Sequence, residues 1–317
     1  MENKPERILT NGLTRLENIK RLQYYTQGPV ERELDFCDYT WDIPYGTESS
    51  RQCIDIYTPK GVKGPFPTII YIHGGGWFTG DRRDKGVGGQ LFLVKHGFAI
   101  VSMGYRLADE AVYPGPMEDL VAGLAKATEV ADQFNLDMSR LGIASGSAGT
   151  PFAMKLALQD PRFKAVCLGS SILDFTRFTK QLQALDLPCS PNFGYPEQDW
   201  SVMALMLGGA VQAVPSRANE LCARLHITPD MPHCLLIHGT KDIATPFLQV
   251  VEFAEEATRI TGDPNRVQLL LSPGGGHNLQ PEFTRAHLAD RVAFMKKYLC
   301  ETEEQVVQDQ VETGFHL

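Results

Sequence analysis

Long hydrophobic runs are missing from this chain. No stretch approaches the about 18 consecutive apolar residues of a membrane span, so no transmembrane role is expected. The first residues, Met1-Glu-Asn-Lys-Pro-Glu-Arg7, are charged and lack the apolar core of a signal peptide. A cytoplasmic protein is the expectation. Paired cysteines are missing too. The seven cysteines form an odd set with no Cys-x-x-Cys spacing. Cys53, Cys167 and Cys234 sit inside apolar, strand-like runs and read as small buried hydrophobes in a reducing compartment. Neither a disulfide frame nor a zinc or other metal site is expected. Clustered positive charge is absent as well. With 30 Lys and Arg against 38 Asp and Glu, the formal net charge is -8, which argues against a nucleic-acid surface. The pair Arg82-Arg83 reads as solvated loop charge. There is no internal repeat and no low-complexity segment.

What is present is an ordinary globular composition, 43% hydrophobic and 21% charged over 317 residues. That length can hold one large α/β domain, and a single domain over 1–317 is the expectation. Residues 1–35 read as an N-terminal helical segment, one or two amphipathic helices with Leu13, Leu16, Ile19 and Leu22 at three-residue steps. Strands are expected at Arg51–Thr58, Thr68–Ile72, Phe98–Met103, Leu141–Ala144, Lys164–Leu168, His233–Ile237 and Val267–Leu271. Helical spacing marks Met117–Phe134, Pro151–Leu158, Phe247–Ile260 and Phe283–Leu299. Short apolar strands alternating with longer helices predict a mostly parallel sheet covered by helices on both faces.

One part breaks the alternation. Residues 175–228 contain no good strand, but carry Phe175, Phe178, Phe193, Tyr195, Trp200, Met203 and Met206 among several prolines. A helical cap insertion over the site is expected here. Its apolar residues can form a small core of their own or line a pocket, and both uses remain open. The polar tail Cys300–Leu317 leaves a frayed helix and a contact between copies of the chain both open, so a homo-oligomer stays among the expected partners.

The chemistry centres on Ser145-Gly146-Ser147-Ala148-Gly149, which joins a short apolar strand to a helix. A strand turning sharply into a helix is strained at the turn and excludes bulky neighbours. Ser147 has small residues two before and two after it, whereas Ser145 has Ile143 two before it. The motif alone leaves two readings, a nucleophilic serine and a small-residue turn. His73-Gly74-Gly75-Gly76-Trp77 follows another strand, and three glycines let a ligand approach the backbone closely. His73 itself reads as a residue that orients the loop. His238-Gly-Thr-Lys-Asp242 follows the strand ending at Ile237. Asp242 there can orient a histidine or simply cap a helix or turn. Ser272-Pro-Gly-Gly-Gly-His277 follows the next strand. The order Ser147, Asp242, His277, each after its own strand and downstream of a glycine loop, is the triad order of α/β-hydrolases.

The chain thus resembles α/β-hydrolase fold esterases, in the branch that includes hormone-sensitive-lipase-like carboxylesterases and short feruloyl- and acetyl-esterase-like hydrolases. The resemblance is carried by Asp55-Ile-Tyr-Thr-Pro59, His73-Gly-Gly-Gly-Trp77, Gly104-Tyr-Arg-Leu107, the Ser147 turn, His238-Gly-Thr-Lys-Asp242 and Gly276-His277. It implies Ser147 as nucleophile, His277 as base and Asp242 as the acid that orients it. It also implies oxyanion donors from the backbone of Gly75, Gly76 and Ala148. Ser145 stands where the pattern has glycine, and Thr150 where a further glycine is common. The implied activity is hydrolysis of small-molecule, short-chain esters through an acyl-enzyme, with no metal or organic cofactor. An amide or formamide hydrolase of the kynurenine formamidase type is the alternative. A catalytically dead hydrolase fold would be expected to lack a triad member, and here all three are present.

Overall fold

The computed structural model describes residues 7–23, 34–277 and 285–300. Its strands are β1 (Cys37–Pro44), β2 (Cys53–Pro59), β3 (Phe66–Ile72), β4 (Ala99–Met103), β5 (Leu136–Gly146), β6 (Phe163–Gly169), β7 (His233–Gly239) and β8 (Val267–Ser272). They form one eight-stranded sheet in the order β1-β2-β4-β3-β5-β6-β7-β8. From β4 to β8 every neighbouring pair is parallel, while β1 and β2 close one edge in antiparallel pairing.

Side chains alternate across this sheet as the pleat requires. Phe66, Ile70 and Ile72 of β3 enter the core on one face, and Ile69 and Tyr71 the core on the other. The first core is closed by α3 (Gly115–Glu129), α4 (Thr150–Gln159) and α8 (Leu248–Thr261); the second by α2 (Lys85–Val94) and α9 (Arg285–Leu299). Both faces are covered, as expected for short, continuously apolar parallel strands.

Two elements went unread in the sequence. In β1, Asp38 to Asp42 are all exposed, so no buried face announces it. Helix α2 contains Gly86, Gly88 and Gly89, which lower helix propensity by about 1 kcal/mol each relative to Ala. It forms because Asp84 caps its first turn, accepting the amides of Gly86 and Val87, and because Val87, Leu91, Leu93 and Val94 are buried.

The N-terminal reading is narrowed to one described helix, α1 (Arg15–Gln23). Ile19 is fully buried on it, while Leu16 is exposed; Leu13 precedes the helix, and residues 24–33 lie outside the described residues. The reading of Arg82-Arg83 as solvated charge is overturned. Arg82 is buried and pairs with Asp42, Asp55 and Asp81, while Arg83 reaches Asp42 and Asp55. Asp55 is itself fully buried, so the pair neutralises a carboxylate on β2 and fastens the edge strand to the loop before α2.

Between β6 and β7 the chain forms α5 (Phe178–Ala184), α6 (Val202–Leu207) and α7 (Pro215–Glu220), with no strand. Phe175, Phe178, Met203 and Met206 are buried in the first core. None of the seven cysteines is in a disulfide. Among the described residues no helix is long and apolar enough to cross a membrane.

Candidate active site

Strand β5 runs through the middle of the sheet and ends at Gly146. Ser147 follows with φ of +52°, in the left-handed region that a non-glycine residue occupies only when its surroundings impose it. A turn over Ser147–Gly149 then leads into α4, whose first turn holds Pro151. Proline is tolerated there because its missing N–H has no partner in the helix. The two departures from the familiar turn are both structural ties. Ser145 Oγ donates to Ile72 O at 2.8 Å, pinning β5 to the end of β3. Thr150 Oγ1 donates to Ser147 O at 2.6 Å and accepts the Ile172 amide at 2.9 Å.

The glycine loop lies against this turn. A Cβ added at Gly74 would stand 3.4 Å from Ser147 Cβ and 2.7 Å from Gly146 O, so only glycine permits the approach. Gly75 has φ of +103°, and a Cβ there would collide with Thr79 O. The Gly75 carbonyl accepts from the amides of Phe78 and Thr79 at 3.2 and 3.0 Å, and from the Thr79 hydroxyl at 3.0 Å. With its carbonyl turned back in this way, the loop presents Gly75 and Gly76 on the wall of the cavity that Ser147 enters. Ala148 is buried directly after Ser147.

His73 does not reach the reacting groups. It is fully buried, stacks on Tyr105 with ring centroids 4.4 Å apart, and its Nδ1 lies 2.8 Å from Gly74 O. Tyr105 donates its hydroxyl to His73 O at 2.9 Å. Burial pushes the His73 pKa below the ordinary histidine value. The motif Gly104-Tyr-Arg-Leu107 thus braces the glycine loop through Tyr105, and Arg106 anchors that brace on Asp119 of α3.

On the other side, Asp242 is fully buried. Both uses foreseen for it occur at once. Its Oδ1 accepts the amides of Ala244 and Thr245, each at 2.8 Å, which is the turn-capping use. Its Oδ2 accepts from His277 Nδ1 at 2.8 Å and from Thr245 Oγ1 at 2.7 Å. Burial acts to raise its pKa, but the hydrogen bond and charge interaction with His277, the nearby His238 and Thr245 together hold it below the usual aspartate value. His277 Nε2 lies 2.8 Å from Ser147 Oγ. Ser147, His277 and Asp242 therefore form one continuous hydrogen-bonded chain.

Two residues of this site had no signal in the spacing. Thr245 braces Asp242 and stands 3.3 Å from His277 Nδ1. His238, fully buried, lies 3.5 Å from Asp242 Oδ2. Its Nε2 is 2.7 Å from Thr245 O and its Nδ1 accepts the Ser171 amide at 3.3 Å, which makes Nε2 the protonated nitrogen. Burial lowers its pKa below the ordinary value.

Ser147 and His277 open into a cavity of about 600 Å3. From the 175–228 stretch it receives Asn192, Phe193 and Val202, and the Phe193 ring stands edge-on to His277 at 6.0 Å. Trp200 is not on its wall; it lies against Gly194.

Residues 54–257 match the family model described as BD-FAE. That stretch contains Ser147 and Asp242 and ends before His277. The chain is 24% identical over 261 residues to the probable carboxylic ester hydrolase LipM of Mycobacterium tuberculosis, covering 75% of this chain and 57% of LipM. Over 117 residues it is 31% identical to the acetyl esterase of Salmonella paratyphi B, 36% of this chain and 34% of that one. The chain thus spans little more than half of one relative's length and about a third of the other's. Among solved structures, a truncated carbohydrate esterase from gut microbiota superposes with a TM-score of 0.72 at 21% identity, covering 86% of this chain and 99% of that one. The sheet and its helices are accordingly an α/β-hydrolase fold, as its sequence led us to expect.

Proposed function

The chain belongs to the BD-FAE family, and from that premise we propose that it is a serine carboxylesterase acting on short-chain acyl esters. The observation that carries the reading is the pair of 2.8 Å hydrogen bonds linking Ser147 to His277 and His277 to Asp242, at a serine held in the left-handed region. An Nδ1–H donated to Asp242 leaves the Nε2 lone pair of His277 facing the Ser147 hydroxyl. His277 takes that proton as Ser147 Oγ attacks the ester carbonyl. Asp242, ionised and held by three donor contacts besides that of His277, fixes the imidazole tautomer and stabilises the imidazolium. The carbonyl oxygen becomes an oxyanion against the amides of Gly75, Gly76 and Ala148. Return of the proton releases the alcohol and leaves an acyl-enzyme, which water hydrolyses by the same steps.

The names of the relatives, a carboxylic ester hydrolase and an acetyl esterase, support ester over formamide chemistry. The 175–228 stretch acts as a cap that narrows the cavity through Phe193, which favours acetate to butyrate over long acyl chains. The absence of disulfides fits a cytoplasmic location.

Ser147→Ala tests the nucleophile. Turnover of para-nitrophenyl acetate is expected to fall by about 10⁴-fold or more, with the circular dichroism spectrum unchanged. A phosphonate label that maps to Ser145, or turnover of N-formylkynurenine in place of the acetate, counts against the reading. Chain length is tested by kcat/KM for acetate, butyrate and octanoate esters. Octanoate is expected to be the poorest, and Phe193→Ala to raise its relative rate several-fold, about 1 kcal/mol of relieved crowding. An unmodified protein that prefers octanoate overturns the short-chain assignment.

A further inference from the structure

Among the described residues, one buried cation on the cavity wall has no counter-charge. Arg291 of α9 is 6% exposed and lines the same cavity as Ser147 and His277. Its guanidinium donates to Gln90 Oε1 of α2 at 2.6 Å, a neutral acceptor. Among the described residues it makes no ion pair. The contrast is internal to the chain. Arg82, equally buried, is paired with three carboxylates. Burying a guanidinium without a carboxylate is costly, and a fold has no reason of its own to keep one against a neutral amide.

The surrounding charges point the same way. The titratable groups on this wall are Tyr71, Asp84, Lys85, Cys167, His277 and Arg291. Asp84 is the one carboxylate among the described residues of this wall, and its Oδ1 is occupied by the amides of Gly86 and Val87 at the start of α2. Burial raises its pKa, which weakens its claim as a counter-ion. Lys85 adds a second positive charge at the exposed rim. Arg291 lines the cavity, and the planar, paired donors of a guanidinium fit a carboxylate in two-point fashion.

We propose that Arg291, seated by Gln90, is the binding site for a carboxylate carried by the substrate, so that the preferred ester bears a free acid on its acyl or its alcohol half. The inference rests on the esterase reading for the ester, but not for the carboxylate.

The test compares each acid ester with its neutral counterpart by proton release. Monoethyl succinate against ethyl pentanoate places the acid on the acyl half; para-acetoxybenzoate against para-tolyl acetate places it on the alcohol half. In one pair, kcat/KM for the acid ester is expected to exceed that of the neutral ester by about tenfold or more, chiefly through KM. Arg291→Met is expected to collapse that ratio by a similar factor, and Arg291→Lys to keep part of it. Ratios at or below unity in both pairs, or a ratio that Arg291→Met leaves in place, overturn the proposal. If Arg291→Met does not fold, the unmodified protein decides. Benzoate is expected to bind it, by calorimetry, about tenfold more tightly than benzamide, and equal binding overturns the site. Calorimetry needs no turnover. A protein that binds benzoate but hydrolyses none of the four esters contradicts the esterase reading and leaves the carboxylate site standing.

Discussion

The same dipeptide, His-Gly, opens the loop after β3 and ends β7. His73-Gly74 and His238-Gly239 each put a fully buried imidazole at the carboxyl end of a parallel strand, and burial lowers the pKa of both. They then diverge. After His73 the chain turns its own backbone toward the cavity, using a positive φ at Gly75 and a carbonyl folded back onto Thr79. After His238 the backbone is turned inward, its amides spent on Asp242, and a side chain is offered instead. The first loop depends on the lack of a side chain and the second on a dense set of side-chain hydrogen bonds. A residue's usefulness at the end of a strand is thus decided by what the next few residues do with their amides.

The comparison can be broken most severely at its second half. Asp242→Asn keeps shape and burial but removes the charge proposed to fix the His277 tautomer, and kcat is expected to fall by about 10⁴-fold. Steady-state kinetics on a variant with an unchanged melting temperature measures it; a loss below tenfold would mean that Asp242 only holds its turn. Gly75→Ala attacks the first half. The strained φ and the collision with Thr79 O displace the loop amides, and a loss of about 10²-fold to 10³-fold in kcat is expected, together with a lower melting temperature. An active, equally stable alanine variant would show that the backbone there can be rearranged without cost.

A smaller effect is shared by the two loops. Because burial lowers the pKa of His73 and His238, the unfolded chain takes up protons at these histidines before the folded chain does. Their contribution to stability is complete above about pH 6.5 and is lost as pH falls through their lowered folded values. The melting temperature should therefore drop between about pH 7.5 and about pH 5.5, and His238→Gln should flatten the slope. A pH-independent melting temperature would contradict both burial shifts. Smallest of all is Ser145→Ala. The variant loses one buried hydrogen bond to Ile72 O, about 1 to 2 kcal/mol of stability, and should retain ester turnover within several-fold. Inactivation by this change alone would move the nucleophile out of its assigned register.

How much of this was legible follows from where the information lies. That Ser147, Asp242 and His277 come together was readable because each sits in a loop directly after an apolar strand, so local patterning alone places all three on one edge. Ser145 was read as merely small because its partner, Ile72 O, belongs to another strand. Arg82 was misread for the same reason: Asp42 and Asp55 are brought to it by the edge pairing of β1 with β2. Phe193 and Trp200 stood together in the reading of the 175–228 stretch, yet Phe193 is the one that reaches His277. Three short helices separated by prolines carry no periodic pattern long enough to say which face turns toward the cavity. Arg291 gave no signal, since its meaning comes from having, among the described residues, a neutral amide and no carboxylate beside it, which only the folded chain displays.

The backbone at Ser147 has a consequence for any attempt to improve this protein by selection. A left-handed conformation costs a residue with a side chain about 1 to 2 kcal/mol, and glycine avoids that cost. Ser147→Gly is thus among the substitutions that a screen for heat resistance would favour, and it removes the hydroxyl. With Ser147 as the proposed nucleophile, directed evolution scored on survival of the fold would drift toward inert variants at this position, whereas scoring on turnover would hold the serine in place. On the proposed reading the most strained residue of the turn is kept by its chemistry, and the surrounding ties of Ser145 and Thr150 hold the turn about it.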